Sequence, residues 1–137
     1  MLKGNKNIYF FPSNSADSVN FHISYMIADN KKYSVIWDND SEGIKSYNKA
    51  KASFGEEEAK KWILLPLNEA KKTTVEHLIS KDDKQMLKSE LNKPSTFKKL
   101  VTLLYHSNGR EKIIEKLSQE TKDNFDRVYN LLENVLK

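Results

Sequence analysis

Two aspartates separated by one residue are the strongest chemical signal in this sequence. The motif Asp38-Asn39-Asp40 directly follows the apolar run Tyr33–Trp37. In open α/β sheets, binding sites form beyond the carboxyl ends of strands. Two carboxylates on one short turn are hard oxygen ligands, which suit Mg²⁺ or Mn²⁺ together with water and phosphate oxygens. The pattern therefore predicts a divalent-cation site at Asp38 and Asp40. The alternative is a polar turn in which Asp40 or Ser41 caps a helix.

Short apolar runs alternate with helix-like segments over the first half of the chain. The predicted strands are Ile8–Phe11, Tyr33–Trp37 and Trp62–Leu65, and the predicted helices are one ending near Ala28 and one over Ile44–Phe54, closed by Gly55. Strands that alternate with helices of about a dozen residues indicate βαβ units and a parallel sheet. Continuous apolar runs are typical of strands that are buried on both faces. The first half thus predicts an α/β fold with a short parallel sheet and flanking helices.

The second half, from about Asn68, has the pattern of a helical region. The predicted helical segments are Thr74–Ile79, Asp82–Leu91, one from a cap at Ser95 or Thr96 to Tyr105, Arg110–Leu117, and Ser118–Leu136. The last segment carries an amphipathic apolar stripe. The chain of 137 residues is therefore predicted to be a single domain, with an α/β part over 1–67 and a helical part over 68–137.

Composition excludes several classes of protein. Hydrophobic residues make up 38% of the chain and charged residues 31%, and no apolar run approaches the length of a membrane span. The absence of cysteine excludes disulfides, thiolate zinc sites, iron–sulfur clusters and cysteine nucleophiles. Met1–Asn7 lacks the apolar core of a secretory signal, so a cytoplasmic location is expected. No Gly-x-Ser-x-Gly motif and no phosphate-binding Gly-x-x-x-x-Gly-Lys-Ser/Thr loop occurs.

The charge balance is mildly basic and depends on lysine. Lys and Arg number 23 against 19 Asp and Glu, which gives a net charge of +4, and Arg110 and Arg127 are the only arginines. Base recognition in nucleic acids relies on arginine, whereas lysine acts as a point charge. The balance indicates either contact with a nucleic-acid backbone without sequence recognition, or solubility alone.

The region Val35–Gly43 resembles the Asp-x-Asp strand of a TOPRIM domain. Its Asp-Asn-Asp-x-x-Gly form is similar to nucleases of the overcoming-lysogenization-defect (OLD) family. Ile8–Ala16 resembles that family's strand and Pro-x-x-Gly-Ala loop, with Ser15 where glycine is usual. Thr74–Leu78 resembles the family's x-Ile-Glu-Asp-Leu segment, and the end of the chain, from Ser118, is similar to the family's end.

This resemblance implies a TOPRIM-like, Rossmannoid fold and cleavage of DNA phosphodiester bonds that depends on Mg²⁺ or Mn²⁺. Asp38 and Asp40 would hold the ion, and Glu76 would be a further acidic ligand. Lys98, or its neighbour Lys99, would stabilise developing charge. The implied partners are DNA, contacted through its backbone without sequence specificity, an ATPase domain of the same longer protein, and a second copy of the chain; phage defence is the family-level role. From the residues alone, the favoured interpretation is a first-turn acid for Glu76 and a solvated helix position for Lys98 and Lys99.

One departure from the family pattern concerns its catalytic glutamate. A TOPRIM domain begins with a strand that ends in this residue, and Met1–Asn7, which precede Ile8, contain no acid. We therefore expect the chain to be the C-terminal portion of a nuclease and to be inactive, or poorly active, by itself.

Three other interpretations of the two aspartates stay open. The first is a non-catalytic α/β module that binds a partner or a DNA backbone through its lysines. Haloacid-dehalogenase-like phosphatases use Asp-x-Asp-x-Thr after their first strand, whereas this chain has Glu42 at the threonine position. Nucleotide-sugar transferases also use Asp-x-Asp, but in much longer chains.

Overall fold

A computed structural model of the protein describes residues 13, 15–65 and 73–137. The fold is mixed α/β and mostly helical, as the sequence predicts. The chain divides into two compact units, Met1–Thr74 with Val128–Lys137, and Val75–Arg127. Over the described residues, every helix is too short or too polar to cross a bilayer. The predicted strand Ile8–Phe11 lies outside the described part of the chain.

The sheet of the first unit consists of two short parallel strands. Strand β1 spans Ile36–Trp37 and strand β2 spans Ile63–Leu64, with Ile36 opposite Ile63. The amide of Ile63 donates to the Val35 carbonyl at 2.8 Å, and the amide of Leu65 donates to the Trp37 carbonyl at 2.9 Å. A parallel pair requires a crossover connection, and here helices provide it. The predicted parallel arrangement is confirmed for these two strands, which are shorter than predicted.

Local capping explains where the helices of the first unit begin and end. Helix α1 (Ala16–Ala28) begins after Ser15, whose hydroxyl accepts a hydrogen bond from the Ser18 amide. Helix α2 (Ser41–Phe54) ends at Gly55, whose φ of 93° lies in the region that favours glycine. Helix α3 (Glu56–Ala59) follows at once, and three acidic residues in its first turn complement the helix dipole.

Aromatic side chains form the centre of the first unit's core. Trp37 and Trp62 are buried together with Ile23, Ala50 and Ala59. The two indole rings have centroids 6.0 Å apart, and the Tyr47 ring meets Trp62 edge-on at 5.8 Å. Such tilted and edge-to-face contacts add to the stabilisation that burial of large rings provides. Both tryptophans lie in the apolar runs that the sequence predicts as buried strands, and both are buried.

The second unit is helical. It begins with a 3₁₀ turn (Val75–Leu78). It then contains α4 (Lys81–Glu90), α5 (Phe97–His106), α6 (Arg110–Glu115) and the first half of α7 (Gln119–Leu136). Leu87, Leu100 and Ile113 from three of these helices share one buried cluster with Ile79 and Leu91. Thr96, one of two predicted caps, accepts a hydrogen bond from the Lys99 amide and starts α5. Each helix predicted for this region is present.

A buried carboxylate joins the N-termini of α4 and α7. Asp83, in the first turn of α4, is only 5% exposed. Its oxygens accept hydrogen bonds from the Ser118 amide at 3.1 Å, from the Ser118 hydroxyl at 2.6 Å and from the Thr121 hydroxyl. The Thr121 oxygen in turn accepts a hydrogen bond from the amide of Ser80, the residue that caps α4. One negative charge in the first turn of α4 thus satisfies donors at the start of α7, and the dipoles of both helices favour it there.

Candidate functional site

The Asp38–Asp40 segment is extended and fixed to neighbouring chain. Asn39 forms an antiparallel bridge with Thr73, through backbone hydrogen bonds of 2.7 and 3.2 Å. The Asn39 side-chain amide also donates to the carbonyl of Leu65, just after β2, at 3.3 Å. Side chains alternate between the two faces of an extended backbone. The carboxylates of Asp38 and Asp40 therefore share one face, at the carboxyl end of the parallel strands.

Asp40 is the N-cap of α2. Its Oδ1 accepts a hydrogen bond from the Gly43 amide at 2.7 Å, and its backbone is extended, with φ −123° and ψ −178°. The predicted capping role is confirmed. A carboxylate offers two oxygens and about four lone-pair sites, so one capping bond uses only part of the acceptor capacity of Asp40. Capping and metal binding by this residue are chemically compatible.

Gly43 lets the first turn of α2 rest directly on the backbone of Asp38. A Cβ atom at position 43 would lie 2.7 Å from the carbonyl carbon of Asp38 and closer still to its oxygen. This overlap with backbone cannot be relieved by a side-chain rotation. The glycine is therefore required by close approach, and it brings the N-terminus of α2 next to the two aspartates.

The electrostatics at the start of α2 favour negative charge. The positive end of the α2 dipole lies at Asp40 and stabilises carboxylates there, including the exposed Glu42 in the first helical turn. Within residues 13, 15–65 and 73–137, no group of three or more histidine, aspartate or glutamate side chains is arranged to hold a metal ion. Two protein carboxylates with water or phosphate oxygens suffice for Mg²⁺, which keeps much of its hydration shell. Beside the positive end of α2, the two carboxylates would hold a hydrated cation only weakly.

The other two predicted site residues lie in the second unit. Glu76 is exposed in the 3₁₀ turn, and Lys98 is exposed in the first turn of α5. Lys99, the alternative to Lys98, is also exposed. The structure therefore brings Asp38 and Asp40 together and places Glu76 and Lys98 in a different compact unit. Their proposed catalytic roles stay predictions.

Three ionisable side chains form a second cluster that is not foreseen from the sequence. They are Tyr33, which precedes β1, and Glu58 and Lys61, which precede β2. The Tyr33 hydroxyl donates to Glu58 Oε2 at 2.5 Å, and Lys61 Nζ lies 2.7 Å from Glu58 Oε1. The Lys61 ammonium also lies 5.5 Å from the centroid of the Tyr33 ring. Burial and the hydrogen bond to Glu58 raise the pKa of Tyr33 to about 12. Hydrogen bonds from Lys61 and Tyr33 lower the pKa of Glu58, so the group is a stable ion pair rather than a proton donor near neutral pH.

Asp83 is the other ionisable residue that the sequence reading missed. A signal was present, because Ser80 and Asp83 have the Ser-x-x-acid spacing of a helix start. That spacing predicts a cap, but it does not predict burial, which depends on Ser118 and Thr121 more than thirty residues further along the chain. Ser118 and Thr121 donate the hydrogen bonds that Asp83 accepts, and this gives the cluster a structural role.

Comparison of the chain with models of known protein families, with curated proteins and with solved structures finds no match. The resemblance to TOPRIM domains therefore depends on the sequence motifs alone.

Proposed function

We propose that the chain binds Mg²⁺ or Mn²⁺ at Asp38 and Asp40 and serves as the C-terminal, TOPRIM-like portion of an OLD-like DNA endonuclease. The observation that carries the proposal is that Asp38 and Asp40 flank Asn39, which bridges Thr73 just beyond the carboxyl end of the β1–β2 pair. Asn39 fixes that segment through three hydrogen bonds. A preorganised pair of hard ligands at this edge is a recurrent location for phosphate chemistry.

Each residue of the proposed site would have a different role. Asp38 and Asp40 would hold the cation, which supplies Lewis-acid polarisation of a phosphoryl oxygen when bound. The capping bond from Gly43 would restrict the Asp40 carboxylate to one orientation. In the proposed nuclease, Glu76 would add an acidic ligand and Lys98 would stabilise the charge that develops on the phosphate.

A second candidate is a non-catalytic module that binds a protein partner or a DNA backbone. The observation that favours it is the capping bond of Asp40, which gives the acid a structural reason to occupy that position. In this case Asp38 and Asp40 shape the turn and hold no metal. The two candidates therefore differ in whether the turn has any affinity for a divalent cation.

Conservative variants of Asp40 separate metal binding from helix capping. Asparagine caps a helix about as well as aspartate, whereas alanine costs about 1 kcal/mol. We expect Asp40→Asn and Asp38→Asn to lose the weak, saturable Mn²⁺ binding of the unmodified chain in calorimetric titrations. The unfolding free energy of Asp40→Asn should stay unchanged, and that of Asp40→Ala should fall by about 1 kcal/mol.

Asp82→Asn is the matched control, because Asp82 is an exposed acid in the first turn of a different helix. Mn²⁺ binding that Asp38→Asn and Asp40→Asn leave intact would reject the metal site and favour the non-catalytic candidate. In a plasmid-nicking assay with Mn²⁺, we expect no robust cleavage by the chain alone. Strong cleavage that is lost in Asp38→Ala would contradict that expectation while supporting the site.

A further inference from the structure

We propose that α5 and the beginning of α6 form a surface that binds single-stranded nucleic acid. The first observation is the location of the positive charge. Residues 93–112 contain five lysines and arginines and one acid, a net charge of +4 that equals the net charge of the whole chain. The other residues of the chain carry 18 basic and 18 acidic side chains and are therefore neutral as a set. The basic excess belongs to one segment.

Helix α5 presents a mixed cationic and aromatic side to solvent. Leu100 is buried in the core of the second unit, whereas Lys98, Val101 and Tyr105, spaced three and four residues apart, lie on an exposed side. Tyr105 is 68% exposed, an unusual state for a large aromatic ring. We call the residues Lys98, Lys99, Tyr105, Arg110 and Lys112 the basic surface.

Arg110 holds the exposed tyrosine in a defined arrangement. Its Nη1 donates to the Tyr105 carbonyl at 2.9 Å, and its guanidinium lies over the Tyr105 ring, 5.4 Å from the centroid. In the part of the chain that the structure describes, no carboxylate forms an ion pair with a member of the basic surface. The charges there are available to an anionic partner, and the ring is accessible beside them.

The chemistry of the basic surface fits a single strand better than other polyanions. Single-strand binding combines cations that follow the phosphates with aromatic rings on which unpaired bases stack. A duplex keeps its bases stacked internally, so it offers no free base face to Tyr105. Insertion into an anionic membrane requires a face rich in large apolar residues, whereas Val101 and Leu103 are the exposed aliphatic residues of α5. The inference does not depend on the Asp38–Asp40 site, because it needs no divalent cation.

The test measures fluorescence anisotropy of a labelled oligothymidylate with the full chain, in EDTA and at low ionic strength. We expect Tyr105→Ala to weaken binding by about 5- to 150-fold, the range that loss of base stacking produces. Arg110→Gln and Lys112→Gln should each reduce the slope of log affinity against log salt by about 0.7. The matched controls, Tyr25→Ala at a 56% exposed tyrosine of α1 and Arg127→Gln at the other arginine, should leave affinity unchanged.

Several results would overturn the proposal. The first is no binding of the oligonucleotide at low salt, and the second is equal affinity for single-stranded and duplex DNA with no effect of Tyr105→Ala. The third is a loss of affinity in the control variants equal to that in the test variants. The fourth is tighter binding to phosphatidylserine vesicles than to the oligonucleotide. Because Arg110 also contacts the end of α5, Lys112→Gln provides a charge test that leaves this contact intact. Binding in EDTA that Asp38→Asn does not change would separate this surface from the proposed metal site.

Discussion

Replacing Asp83 tests whether one buried carboxylate holds two helix starts together. Alanine at this position would leave the Ser118 amide, the Ser118 hydroxyl and the Thr121 hydroxyl without this acceptor, in a site where Asp83 and Thr121 are buried. Asparagine has nearly the same shape but carries no charge, and its amide group brings hydrogens to a position surrounded by donors. Thr121→Val, at a fully buried residue, removes one donor to Asp83 and the acceptor of the Ser80 amide, and it keeps the side-chain volume.

The expected losses follow from the number and kind of hydrogen bonds. A hydrogen bond to a charged group contributes about 1.5–3 kcal/mol, and a negative charge near a helix N-terminus contributes up to about 2 kcal/mol. Because these contributions share one group, they do not add fully. We expect Asp83→Ala to reduce the unfolding free energy by about 3–5 kcal/mol, and Asp83→Asn and Thr121→Val by about 1–3 kcal/mol each. The largest loss is a substantial fraction of the total of about 5–15 kcal/mol that is usual for a domain.

Urea unfolding followed by far-UV circular dichroism at pH 7 measures these losses, with Asp82→Asn as the control at the neighbouring exposed acid. The control should change stability by less than about 0.5 kcal/mol, as is usual for surface positions. A loss below about 1 kcal/mol for Asp83→Ala would refute the reasoning, because it would mean that the orphaned donors find other acceptors.

The pH dependence provides a second test of the same carboxylate. Burial raises the pKa of Asp83, but hydrogen bonds from Ser118 and Thr121 outweigh it, so the net pKa lies below the usual value. The stability that Asp83 contributes is therefore fully present above the unfolded pKa of about 3.9 and is lost as the pH falls through the lower folded value. The stability difference between the unmodified chain and Asp83→Asn should be constant above about pH 5 and should shrink below about pH 4. A difference that stays constant in acid would contradict this assignment.

Two further predictions concern the first unit. Gly43→Ala should destabilise the chain by about 1–3 kcal/mol in urea unfolding, because its Cβ would overlap the Asp38 carbonyl. The control Gly109→Ala, whose Cβ would have no atom within 4 Å, should not destabilise it. Equal effects of the two substitutions would show that the close approach at Gly43 is not rigid. In spectrophotometric titration, the Tyr33 phenol should ionise near pH 12, and Glu58→Gln should lower this pKa by removing the negative hydrogen-bond partner. A titration curve that Tyr33→Phe leaves unchanged would reject this assignment.

Helix positions could be predicted from the sequence because their signals are local. Ser15, Gly55 and Thr96 mark helix ends through their own side chains or backbone freedom, and the structure uses all three in that way. Strand lengths could not be predicted, since a strand extends only as far as its partner does. Tyr33 and Ser34 fit the apolar run of β1, but their hydroxyls instead bond to Glu58 and to the Lys61 carbonyl.

In the candidate site, too, local features could be predicted and contacts between distant residues could not. The position of Asp38 and Asp40 after a strand, and the capping role of Asp40, follow from residues that are adjacent in sequence. The bridge between Asn39 and Thr73 joins residues 34 positions apart, and no local pattern indicates it. Asp83 has the appearance of any first-turn acid, and its burial depends on residues beyond two intervening helices.

The first unit is built from two stretches of chain, and this has a consequence for the order of folding during synthesis. Residues Val75–Arg127 of the second unit are continuous, so the ribosome completes them before it adds Val128–Lys137. Val128 and Leu132, which are buried, are therefore among the last parts of the first unit to be made. Domains generally fold in N-to-C order as they emerge. Here the second unit has all its residues first, and the first unit is complete only when the ten residues Val128–Lys137 have been added.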